Sequence, residues 1–85
     1  MREQVRTRHY AMTVHAEDEM DEENLSIYDV ESVILTGRII ETQRDRVTLE
    51  RKYIVSGQTL SNDAVTVVAK FSAAGKVFII TVFRE

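Results

Sequence analysis

At 85 residues, 44% hydrophobic and 29% charged, the chain has apolar content for one packed core, which predicts a single domain over residues 1–85 and excludes wholesale disorder. It contains no cysteine, which excludes disulfide staples and thiolate metal sites, and no apolar run reaches the roughly 18 residues of a membrane-crossing helix, so a cytoplasmic protein with no membrane partner is expected. The net charge of −3 weighs against non-specific attachment to nucleic acid, which depends on a basic footprint.

Residues 1–9 are polar and basic, carrying Arg2, Arg6 and Arg8 with Val5 as their one apolar side chain after Met1, and read as a flexible or short helical arm without stability of its own. Thr13 is a candidate N-cap, because its hydroxyl can accept a backbone N–H, and the acidic residues after it suit the positive end of a helix dipole. A helix from about Val14 to about Glu23 follows; between Glu17 and Glu23 every residue but Met20 is acidic, so only a narrow stripe of Val14, Ala16 and Met20 can be buried. Ser26 and Asp29 form an S-x-x-D capping pattern flanked by Leu25 and Val30 as a hydrophobic staple, and Gly37 stands where a helix would close. These signals bracket a second helix over 27–36, whose Ile27, Val30, Val33 and Ile34 make a stripe suited to lie on a sheet.

After Gly37 the period changes from helical to alternating. Arg38–Gln43 and Thr48–Ser56 read as a hairpin around Arg44-Asp45-Arg46, and residues 57–63 supply Gly, Ser, Asn and Asp for a connection. Val65, Val67, Ala69 and Phe71 then alternate with Thr66, Val68 and Lys70, so one side of the third strand faces a core. Ser72–Gly75 turns into Val77–Phe83, which is apolar on both sides and reads as an interior strand. The expected architecture is α+β, two N-terminal helical segments followed by a four-stranded antiparallel sheet, with Arg38–Gln43 a candidate edge that either pairs with a second copy of the chain or is protected from pairing by Arg38 and Glu41.

No nucleotide loop, nucleophile elbow or metalloprotease helix is present. His15 and Glu19 share a helix face, and Asp18 and Glu22 an adjacent one, but two facing ligands do not close a metal site, and no metal or cofactor is expected. Arg51, Lys52 and Tyr53 occupy successive strand positions, which sends Arg51 and Tyr53 to one side and Lys52 to the other. Such a group can hold a phosphate with a tyrosine beside it, or be simple charge on an exposed sheet. Thr81 interrupts an apolar strand and is also an ordinary strand former.

The run Tyr10–Met20, the segment Leu25-Ser26-Ile27 with Asp29-Val30, Ile34–Glu41, Arg51-Lys52-Tyr53 with Gly57, Val67-Val68 with Lys70, and the close Ile79-Ile80-Thr81-Val82 together resemble the bacterial domain-of-unknown-function family 4258, over about Tyr10 to Phe83. That resemblance implies kinship with RelE-like and barnase-like ribonuclease toxins, which set two helices before a four-stranded antiparallel sheet. It further implies metal-independent cleavage of RNA: His15 as acid or base, Arg51 and Lys52 stabilising the charge that develops on phosphorus, and Tyr53 or Thr81 positioning the substrate. Many relatives carry an arginine four residues after the histidine, where this chain has Glu19.

Two functions are therefore expected as alternatives. One is a toxin-type ribonuclease acting on RNA and held by an antitoxin; the other is a non-catalytic module of the same fold that binds a protein partner. Overall acidity and Glu19 favour the second, His15 beside a basic strand the first.

Overall fold

A computed structural model describes residues 1–85, and it is α+β. In chain order it forms α1 (Arg2–Arg6), β1 (Tyr10–Met12), α2 (Val14–Glu22), α3 (Ile27–Thr36), β2 (Arg38–Arg44), β3 (Arg51–Gln58), β4 (Ala64–Phe71) and β5 (Val77–Arg84). The strands join in one five-stranded sheet in the order β1-β5-β4-β3-β2. Pairing is antiparallel throughout except at one edge, where β1 runs parallel to β5 with Tyr10 opposite Val77 and Met12 opposite Ile79. The expected sheet of four antiparallel strands is thus corrected to a mixed sheet of five. The added strand is three residues long, too short to show alternation, and its partner lies at the far end of the sequence.

The helix signals are local and hold closely. Thr13 accepts the Ala16 N–H at 3.1 Å, and Ser26 and Asp29 form a reciprocal capping box in which each side chain accepts the other residue's backbone N–H. Leu25 and Val30 of the staple are both buried. Asp29 also accepts the Leu60 N–H at 3.2 Å, so the cap of α3 pins the β3–β4 connection as well. The N-terminal arm is helical over Arg2–Arg6 and lies against α3; Val5 is 2% exposed, and the Arg2 guanidinium donates to the Gly37 carbonyl at 2.8 Å. Its one apolar side chain ties the arm into the core, which its polar composition conceals.

Both longer helices lie on one side of the sheet, α3 over β3 and β4 and α2 along β5. Ala16 and Met20 of α2 and Val30, Val33 and Ile34 of α3 meet Val65, Val67, Ala69, Val77, Ile79 and Val82 in a continuous buried cluster. Strand β4 buries Val65, Val67 and Ala69 as its alternation predicts, and β5 lies inside the sheet between β1 and β4. Val47–Glu50, expected in part to be strand, instead forms the loop after β2, because the Asp45 carboxylate accepts the Val47 and Thr48 N–H groups at 2.8 and 3.1 Å and folds the chain into a turn.

Close approach of α3 to the sheet depends on two glycines. A Cβ on Gly57 would stand 2.3 Å from the Val33 carbonyl oxygen and 2.9 Å from the Gly37 Cα, and one on Gly37 would meet the Ser56 carbonyl at 2.5 Å. Gly37 ends the helix with an ordinary φ of −85°, so it is there for clearance.

Candidate functional site

Because directly opposed residues in a sheet point to the same side, the pairing register sorts the strands into a helix-covered face and an open face. Val55, Val67 and Val82 are aligned on the covered face, and so are Ala69 and Ile79. The open face carries three transverse rows. One runs Gln43, Lys52, Lys70, Phe78, Ala11 across all five strands; the next runs Glu41, Ile54, Val68, Thr81; the third runs Arg38, Ser56, Thr66, Phe83. Two bulges set this alignment. Ile40 is the extra residue between Ile39 and Glu41, and Ile80 the extra one between Ile79 and Thr81.

The first row places two lysines directly opposite each other. Like charges so opposed are destabilising in a sheet. Lys70 is partly relieved by Glu50, whose carboxylate lies 3.0 Å from its Nζ; Lys52 is exposed and forms no ion pair within the chain. The two lysines share a cleft of about 370 Å³ with Gln43, Arg44, Asp45 and Glu50. Asp45 is committed to the turn, since the Thr48 and Val47 N–H groups hold its carboxyl below the usual aspartate range. A guest anion in this cleft would remove the lysine–lysine repulsion and would compete with Glu50 for Lys70.

The residues singled out from sequence fall in three places. Lys52 and Thr81 lie on the open face, with Thr81 opposite Val68. Arg51 and Tyr53 lie on the other side, as strand alternation predicts: Arg51 is opposite Phe71, and the Tyr53 ring meets Phe71 edge-on with centroids 6.5 Å apart. His15 stands in the first turn of α2 with its side chain 70% exposed, and its Nε2 is 3.2 Å from Glu19 Oε1. None of the surface clefts is lined by His15, and it shares no hydrogen bond or ion pair with Arg51, Lys52 or Tyr53. No cluster of three or more metal-ligating side chains occurs.

Glu19 has a job that an arginine could not do. Strand β1 covers β5 only as far as Ile79, and Glu19 Oε1 accepts the Val82 N–H beyond it at 3.1 Å, capping the bare edge of β5 just after its bulge. Further along the same edge the Arg84 guanidinium donates to the Glu23 carbonyl at 2.9 Å and to Asp63 at 3.1 Å. His15 is thus attached to a carboxylate already engaged in holding α2 to the sheet.

Sequence reasoning did not select Lys70 and Phe78, which complete the row begun by Lys52. Each is unremarkable within its own strand, and only the register joins them. A second cluster it passed over ties β1 to α3. The Tyr10 hydroxyl donates to Glu31 at 2.5 Å, and Arg8 stacks over Tyr28 and approaches Glu31 at 3.8 Å. Burial first, and then the neighbouring Glu31 carboxylate, push the Tyr10 hydroxyl well above its ordinary value. All its members are mutually satisfied, which marks this cluster as a structural clamp.

No helix is long and apolar enough to cross a membrane. No curated protein and no solved structure matches the chain. A family model described as a domain of unknown function, DUF4258, matches residues 12–84, from the last residue of β1 to the end of β5, and the chain belongs to that family.

Proposed function

We propose that the chain binds RNA across the open face of its sheet, with the Lys52–Lys70 pair holding a backbone phosphate. The observation that carries this reading is the direct opposition of the two lysines at a polar cleft, a repulsive arrangement that an anion relieves. The acidity of the whole chain is no obstacle, because its largest block, Glu17–Glu23, belongs to α2 and the turn after it, on the other side of the sheet. Cleavage by the toxin-type mechanism has less support. That mechanism needs an acid or base within hydrogen-bond reach of the phosphate the cations hold, whereas His15 belongs to the helix side and its Nε2 faces Glu19.

The test is the affinity of the full chain for a fluorescent single-stranded RNA over a salt series. Lys52→Ala and Lys70→Ala are each expected to weaken binding and to lower the slope of log affinity against log salt by about 0.7. Glu50→Gln is expected to tighten binding by freeing Lys70. Unchanged affinity in both lysine variants overturns the reading. Cleavage of the RNA in the presence of a chelator, abolished in a folded His15→Ala variant, would instead establish the ribonuclease.

A further inference from the structure

The edge strand β2 is the least covered element of the fold: all seven of its residues are exposed, with Ile39 at 49% and Ile40 at 54%. Edge strands in natural proteins are usually short, covered or guarded, because their free N–H and C=O groups invite another strand. Here the edge is long, carries two adjacent exposed isoleucines, and adjoins a groove of about 500 Å³, half of whose lining, Met1, Ile34, Ile39 and Val55, is apolar and which Arg38 also lines. What covers it can be read from the charges. The bulge at Ile40 brings Arg38 and Glu41, three residues apart, onto the same face of the sheet, since Arg38 opposes Ser56 and Glu41 opposes Ile54. Neither forms an ion pair within the chain; Glu41 accepts only from the Gln43 side chain.

We propose that β2 pairs antiparallel with β2 of a second copy about a two-fold axis between Ile39 and Ile40. In that register Arg38 of each copy stands opposite Glu41 of the other, giving two cross-strand pairs of opposite charge on the open face, while Ile39 of one copy stands opposite Ile40 of the other. Two alternative registers are worse. An axis through Glu41 sets two glutamates against each other, and an axis between Thr42 and Gln43, although it sets Glu41 opposite Arg44, leaves both isoleucines facing charged residues of the loop, Asp45 and Arg46. The pairing closes after two chains, because each copy's other edge is the short β1, with the rest of β5 capped by Glu19. It also joins the two open faces into one continuous surface, although it does not depend on what that surface binds.

The test is the molar mass of the full chain by light scattering or sedimentation equilibrium over a concentration series, with folding of each variant checked by circular dichroism. The wild type is expected to form a dimer. Arg38→Glu and Glu41→Arg, each of which turns both symmetric pairs from attractive to repulsive, are expected to weaken dimerisation by about tenfold or more. The double charge swap Arg38→Glu with Glu41→Arg is expected to restore it to within about threefold. A wild type that stays monomeric at every concentration overturns the proposal. So does a dimer that the single reversals leave intact, or one that the double swap fails to restore.

Discussion

On the helix-covered side of the sheet, Val67, Ile79 and Val82 are sealed beneath α2 and α3, whereas the other side of the sheet presents Lys52, Lys70, Thr81 and Phe83. The backbone is common to both faces and the pleat alternates one residue at a time, so the difference lies only in what each position must meet. Covered positions meet other side chains at close packing, and their tolerance is set by volume. Open positions, the buried Thr66 apart, meet solvent, and their cost is electrostatic: two lysines stand opposed where a neutral pair would be more stable. A site on the open face can therefore be altered without unfolding the protein, and the two faces should respond to substitution in different measures.

The largest effects should come from the covered face. Gly57→Ala would thrust a methyl group to within 2.3 Å of a backbone carbonyl that cannot move without shifting α3, and should cost about 3 kcal/mol or more in urea denaturation. Ile79→Ala, which opens a cavity at a fully buried position, should cost about 2–5 kcal/mol. If either proves neutral, the covered face is not packed as described.

Next comes the junction between the faces. Glu19→Ala leaves the Val82 N–H without its acceptor and should cost about 1–3 kcal/mol, while Glu19→Gln, which keeps an oxygen at that position, should recover most of the loss. Equal losses in the two variants would mean that charge, rather than the edge hydrogen bond, is what Glu19 supplies.

The smallest effect on this scale concerns the α3 cap. Ser26→Ala should cost about 1 kcal/mol. The backbone N–H of Ser26 foremost, with that of Leu60 and the Ser26 hydroxyl, holds the Asp29 carboxyl below its ordinary value. A carboxyl lowered on folding lends stability that is full above its unfolded pKa and is lost as the pH falls through the folded one. Asp29→Asn should therefore flatten the acid limb of the stability profile, below the ordinary aspartate range, and leave the slope at neutral pH unchanged. A changed slope near neutrality would point to another group.

What was legible in the sequence is what local chemistry decides. The Ser26–Asp29 box, the Thr13 cap and the clean alternation of Val65, Val67 and Ala69 each involve residues within a few positions, and each forms as read. Three features were not legible because they depend on distant partners. Tyr10–Met12 becomes a strand only because β5 lies beside it, Val5 anchors the arm only because α3 passes over it, and Lys70 and Phe78 join Lys52 only through register. The bulges add a further obstacle. By shifting the alternation by one residue at Ile40 and Ile80, they decide that Glu41 shares a face with Arg38 and that Thr81 lies opposite Val68, neither of which a strict period of two allows.

The most direct test of the central claim is a titration of the isotope-labelled chain with a single-stranded RNA, followed by amide and side-chain NMR shifts. RNA held on the open face should move the signals of Lys52, Lys70, Thr81 and Phe78 together and leave those of His15 and Val67 in place. Shifts gathered on α2 around His15, with the open face silent, would contradict it.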